Sequence, residues 1–285
     1  MTAFHLKLLP IVIVLLLMGS ANAIVMRHDT GNDRHLASES EYPAVFYLEQ
    51  RRQRKVCVAT LIDPRWAVTA AHCLDDTPLL DTLEAGRPYG VEIAGQPVWV
   101  DAAWIHPHYP EAPHDFLPDV DLALLALEHP LANPQPVPLY RETDEIGRQV
   151  TFLGWGFHAV GTGGRYLDDG RFRFAHNTVA DAAWRLHFRF DDPRASDSEA
   201  LEYEGLPGQG DSGGPALLRQ HGQYHIVGVA VGELTRLENG KPLQRQGVYG
   251  AEVVYERLSR HQRWLDAVMA GTFRPTVAAN AADPG

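Results

Sequence analysis

Apolar residues in this chain come in short runs, often alternating with polar ones, and the runs are separated by turns rich in Gly, Pro, Asn and Asp. That is the pattern of an all-β protein. Candidate strands are 44–48, 55–62, 66–69, 98–105, 122–127, 150–153, 182–190, 216–218, 224–231 and 247–254. The clearest alternation lies at 183–190, where Trp184, Leu186, Phe188 and Phe190 interleave with Arg185, His187 and Arg189, predicting one buried and one wet face. Residues 255–269 instead place Leu258, Leu265, Val268 and Met269 on a helical stripe, predicting a C-terminal helix. Gly- and Pro-rich stretches at 128–138 and 156–170 interrupt the strands, and the first is the natural linker between two halves. Residues 271–285, rich in Ala, Pro and Gly, read as a disordered tail.

The start of the chain is different. His5 and Lys7 make a weakly basic opening, Ile11 to Met18 is an uninterrupted apolar run, and Ala21-Asn22-Ala23 fits the small-x-small cleavage rule. Residues 1–23 therefore read as a secretory signal peptide; the run is short for a membrane span of ~20 residues. This predicts an exported protein, secreted or periplasmic, with no stable membrane association after cleavage. The formal charge of −11 argues against nucleic-acid binding. The 285 residues, 45% of them hydrophobic, are enough for one large all-β fold or two packed barrels.

Three segments carry chemistry. Gly210-Asp211-Ser212-Gly213-Gly214-Pro215 sets a serine among glycines, which permit a tight turn and let a substrate approach backbone N–H groups. Thr69-Ala70-Ala71-His72-Cys73 follows a candidate strand, and its imidazole suits proton transfer near neutral pH. Asp119-Val120-Asp121-Leu122-Ala123-Leu124-Leu125 puts a carboxylate at the mouth of an apolar strand, where a histidine N–H is a suitable partner. Asp121 directly precedes the apolar run; Asp119 is the rival acid.

The order His72, Asp121, Ser212 resembles that of the chymotrypsin/trypsin-like serine proteases, as a bacterial-type member with a single disulfide. The similarity runs over roughly residues 24–270 and takes in Gly154-Trp155-Gly156, Gly247-Val248-Tyr249 and Trp264-Leu265. The resemblance implies two packed six-stranded antiparallel Greek-key β-barrels, 24–132 and 133–270, with a C-terminal helix on the second and the active site between them. It implies a serine endopeptidase acting on polypeptides as a monomer, with no cofactor and no metal. Ser212 is then the nucleophile, His72 the general base and acid, Asp121 its orienting partner, and the N–H groups of Gly210 and Ser212 the oxyanion hole. It also implies a Cys57–Cys73 disulfide. Cleavage after Ala23 would free Ile24, whose amine would pair with Asp211 and shape the oxyanion hole without a separate zymogen. Here Met26-Arg27 replace the glycines that usually follow Ile-Val.

By the same matching, the specificity pocket falls on Leu206, Gly232, Glu233 and Gly247. Leu206 and Gly247 argue for apolar or small side chains before the scissile bond, while Glu233 offers a route to a basic preference. Three other signals carry less. The G-x-S-x-G pattern around Ser212 lacks the strand–helix alternation that an α/β-hydrolase needs. His106, His108, His114, Asp115 and Asp119 fall in a Pro-punctuated loop, poor ground for a metal site. The basic run Arg51-Arg52-Gln53-Arg54-Lys55 reads as a solvated hairpin tip. The rival class is a protease-shaped binding protein without catalysis.

Overall fold

The computed structural model describes residues 24–109, 120–163, 166–234, 237–238, 241–242 and 246–279. The expected signal peptide, together with His114, Asp115 and Asp119, lies outside them.

Two antiparallel sheets curl into barrels. The first is built from the strands Val45–Arg51, Arg54–Asp63, Trp66–Thr69, Tyr89–Ile93, Gln96–Ile105 and Ala123–Leu127. Arg54–Asp63 pairs with its neighbours on both sides, Trp66–Thr69 with Ala123–Leu127, and Gln96–Ile105 with both Ala123–Leu127 and Tyr89–Ile93. Tyr89 closes the ring by donating its hydroxyl to the Leu48 carbonyl at 2.9 Å. The second barrel runs in the spatial order Arg173–Thr178, Gln149–Gly154, Pro215–Gln220, Gln223–Leu234, Glu252–Arg257, Arg185–Arg189. Asn177 joins its two ends by donating to the Arg189 carbonyl at 2.9 Å. This is the two-barrel, chymotrypsin-type architecture that the sequence implied.

Each barrel has its own core, Leu61, Leu74, Leu79 and Leu125 in the first and Phe152, Phe188, Phe190 and Tyr255 in the second. A third apolar layer fills the seam, where Val58, Val68, Leu122 and Leu124 of the first barrel meet Leu153, Leu217, Ile226 and Val229 of the second. Ala123–Leu127 is thus buried on both faces, Leu125 pointing to its own core and Leu124 to the seam, so its sequence shows an unbroken apolar run instead of alternation.

The structure departs from the sequence expectations in several places. Within the predicted 255–269 helix, Glu252–Arg257 continues as a strand and the α-helix spans only Gln262–Met269. Leu265 and Val268 belong to the apolar layer of the seam, to which both barrels contribute. Trp184, expected inside, is 75% exposed with the Arg260 guanidinium 4.0 Å from its ring centre, because the paired strand starts only at Arg185. The expected tail is ordered through residue 279. Thr276 N–H bonds Ala103 O at 2.9 Å, and Val277–Ala278 pairs with Ala102–Ala103 on the stretch of edge that Tyr89–Ile93 leaves uncovered. Strands Tyr89–Ile93 and Arg173–Thr178 were not among those expected: the first alternates Tyr, Val and Ile with Gly and Glu over only five residues, and the second is mostly polar in sequence. The basic run is a hairpin tip, with Arg51 paired to Arg54.

Cys57 and Cys73 are bridged across 16 residues, with Cα atoms 5.8 Å apart. Replacing both with Ser should lower stability by ~3 kcal/mol in the chain-entropy model, read as the guanidinium unfolding midpoint against the oxidised wild type.

Candidate active site

The first barrel delivers two of the predicted residues. The chain leaves strand Trp66–Thr69 through Ala70 and Ala71, both fully buried, and turns into a short helix that begins at His72. Small side chains are needed there because the turn runs through the apolar core. Asp121 lies just before strand Ala123–Leu127, which is paired with Trp66–Thr69, so sheet register alone brings the two segments together. Asp121 is 1% exposed. One of its carboxylate oxygens accepts the His72 backbone N–H at 2.9 Å, and the other lies 2.5 Å from His72 Nδ1. Burial alone would lower the His72 pKa, but the hydrogen bond and charge of Asp121, with Asp75 and Asp76 further off, outweigh it and hold the imidazole above its ordinary value.

The second barrel supplies the serine turn, which is docked on the first. Val58 N–H donates to Ser212 O at 2.8 Å, and Thr69 Oγ1 donates to Val58 O at 2.8 Å. Cys73 Sγ lies 3.4 Å from Ser212 O and 3.9 Å from His72 Nε2, which puts histidine and serine beside one sulfur. Gly213, at φ +75°, has no room for a Cβ, which would run into Thr69 Oγ1 and Val58 O. Gly210, at φ +102°, is less crowded: a Cβ there would lie 3.0 Å from Gly156 Cα and the Lys55 carbonyl, so the backbone angle is its main demand for glycine. From its own side the turn is tied to strand Gln223–Leu234 by Gly213 N–H to Ala230 O and Ala230 N–H to Gly214 O, both at 2.8 Å.

Asp211 is buried beneath the turn. Its carboxylate accepts Gly156 N–H at 2.8 Å and Gly208 N–H at 3.1 Å, and the Ile24 backbone N–H reaches it too. Burial still pushes its pKa up to about 6 against those three donors. The Gly154-Trp155-Gly156 motif thereby acquires a cause: a Cβ on Gly154 would collide with the Asp211 carboxyl, and Gly156 must offer its N–H at close range. Ile24 and Val25 are fully buried, and Val25–Met26 pairs with Gly205–Leu206 on one side and Ala159–Val160 on the other.

A cavity of about 190 Å³ opens beside Ser212, walled by Gly208, Ala230, Val231, Gly232, Glu233 and Val253 among others. Two of the predicted pocket residues, Gly232 and Glu233, face it. Leu206 does not: it pairs with Val25 and is buried in the second barrel's core, so the adjoining Pro207 and Gly208 form the wall instead. Gly247 acts through its backbone, donating N–H to Glu233 Oε2 at 2.9 Å. Burial raises the Glu233 pKa to about 7, the Gly247 bond pulling the other way.

Sequence reasoning missed Glu256, which is 1% exposed and accepts the Asp121 N–H at 3.1 Å, and Thr69, whose hydroxyl caps the Val58 carbonyl. The one available signal for Glu256 was a carboxylate following an apolar run, Val253-Val254-Tyr255.

A histidine–aspartate pair on one barrel and a glycine-bound serine turn on the other, meeting at the seam, is the arrangement of a two-barrel serine peptidase. The trypsin family model matches residues 30–249, and the chain belongs to that family, making it a serine-type endopeptidase. Among solved structures it is similar to neuropsin, a serine protease expressed in the limbic system of mouse brain. The TM-score is 0.58 at 19% identity, covering 82% of this chain and 98% of that one, a likeness of fold.

Gly213→Ala should destabilise the protein by about 3 kcal/mol through overpacking at a positive-φ site, seen as a lower denaturation midpoint. The same variant should react more slowly with a fluorophosphonate.

Proposed function

We propose that the chain is a secreted serine endopeptidase that cleaves through a His72–Asp121–Ser212 triad and an acyl-enzyme. The observation that carries this is the 2.5 Å contact of His72 Nδ1 with buried Asp121, on a histidine whose Nε2 faces the same sulfur as the serine turn. Ser212 Oγ attacks the peptide carbonyl carbon while His72 Nε2 takes its proton. Asp121 holds the imidazole in the right tautomer and stabilises the imidazolium. The oxyanion is received by the N–H groups of Gly210 and Ser212, one such donor being worth ~3–4 kcal/mol of barrier. His72 returns the proton to the leaving amine, and water repeats the sequence on the acyl-enzyme with His72 again as base.

Activation follows from the buried start of the described chain. Signal cleavage after Ala23 turns the Ile24 N–H into an ammonium. Placed beside Asp211, that charge compensates a carboxylate which burial otherwise disfavours. An exported, oxidising destination fits the Cys57–Cys73 bridge. N-terminal sequencing of active protein tests the reading; a mature start well downstream of Ile24 removes it.

Specificity rests on Glu233 in place of Leu206. The cavity sets Pro207, Ala230, Val231 and Val253 beside Gln209 and Gln246, so with Glu233 protonated the site offers no charge and takes small or apolar side chains. Once ionised, Glu233 pairs with Lys or Arg. With a pKa of about 7, the ratio of kcat/KM for an Arg substrate over an Ala substrate should climb between about pH 6 and pH 8. Glu233→Gln should flatten it. The ratio cancels the titration of His72, which is common to both substrates.

Two further outcomes test the mechanism. Ser212→Ala should lower kcat on the order of 10⁶-fold and abolish fluorophosphonate labelling; labelling that persists in this variant, or is lacking in a folded wild type with an Ile24 terminus, favours a non-catalytic binding protein. The pH profile should be a bell. Because catalysis needs neutral His72, whose pKa is raised, activity appears only above the ordinary imidazole range. It falls again at alkaline pH, beyond the ~8 of a free amine, as the terminal ammonium held by Asp211 loses its charge.

A further inference from the structure

We propose that Glu256 is a positioning residue that registers the catalytic aspartate of one barrel against the strand pair holding the nucleophile of the other. The inference rests on the triad reading above. Asp121 comes from the first barrel and Ser212 from the second, so their relative placement depends on what crosses the seam. Glu256 does so at the acid itself, its Oε1 accepting the Asp121 backbone N–H at 3.1 Å. It belongs to strand Glu252–Arg257, where Glu256 pairs with Val229 and Tyr255 with Ala230. Ala230 is the residue whose N–H and C=O both bind the serine turn. One strand pair therefore holds the nucleophile through Ala230 and the acid through Glu256, one residue apart in register.

The carboxylate is fixed from behind. Arg185 Nε donates to Oε1 at 2.7 Å from the neighbouring strand, and His261 Nε2 lies 3.4 Å from Oε2. Beyond them is a cavity of about 680 Å³ onto which His106, His187 and Arg260 also face. His72 itself is faced by Asp121, Asp75 and Asp76. Glu256 thus offsets the Arg185 cation beside the catalytic pair. Without that offset, the uncompensated Arg185 cation behind Asp121 disfavours the His72 imidazolium and lowers the His72 pKa. The imidazolium formed in the transition state is weakened with it, so kcat falls. Neither group walls the cavity beside Ser212, so KM is spared.

The test is the kinetics of full-length, signal-processed enzyme, normalised to the Ser212 sites that a fluorophosphonate titrates. Glu256→Gln keeps an acceptor oxygen but removes the charge. It should move the acid limb of the kcat/KM profile down by about half a pH unit and lower kcat with little change in KM. Adding Arg185→Gln should return the limb to its wild-type position. Glu256→Leu removes the acceptor as well, and should cost about a hundredfold in kcat that the Arg185 change does not restore. If the Leu variant does not fold, the two Gln variants decide the matter. Titrated kcat and an acid limb unchanged in Glu256→Gln would overturn the proposal, as would a loss explained wholly by fewer titratable sites. Failure of wild-type Ser212 to label would instead overturn the triad reading.

Discussion

The hydrogen bond from Val58 N–H to the Ser212 carbonyl ties the serine turn of one barrel to strand Arg54–Asp63 of the other, which pairs with the strand that leads to the histidine. Around it the backbones come as close as they can: Gly213 has no room for a Cβ against Thr69 and Val58. Such an approach needs two barrels already pressed together, which the apolar layer from Val58 and Leu124 to Leu217 and Val229 achieves. Cleft, histidine and serine turn all depend on that contact. A seam of packed side chains is bistable at most and cannot deform continuously, so it holds the reacting groups to a narrow range of distances.

Buried carboxylates do most of the polar work, and each is satisfied differently. Asp121 answers a histidine and that histidine's own backbone. Asp211 is fully buried, which pushes its pKa up to about 6 although three backbone donors and the Arg173 charge pull it down. Glu233, only partly buried, has one backbone donor and rises to about 7. In both, burial disfavours the charge and hydrogen-bond donors return part of it.

Much of the site was legible in the primary structure because its chemistry is local. A serine between glycines, a histidine after small residues and an aspartate before an apolar strand each need specific neighbours, and those neighbours are written beside them. The strands with strong alternation, such as 185–189, were legible for the same reason. Leu206 was misread because position relative to Ser212 does not say which way a side chain points; pairing with Val25 turned it into the core. Trp184 followed the alternation on paper but lies one residue outside the paired strand.

By itself the sequence determined the class of fold, the candidate histidine, aspartate and serine in their order, and the cysteines available to a bridge, since composition, spacing and local turn chemistry carry these. Tertiary structure alone decided which groups meet across the seam. Glu256 is 135 residues from Asp121, Asp211 is 55 from Gly156, and the segment at 276–279 returns to the first barrel after the second is complete. Contacts of that range are set by barrel closure and sheet register, and no local pattern records them.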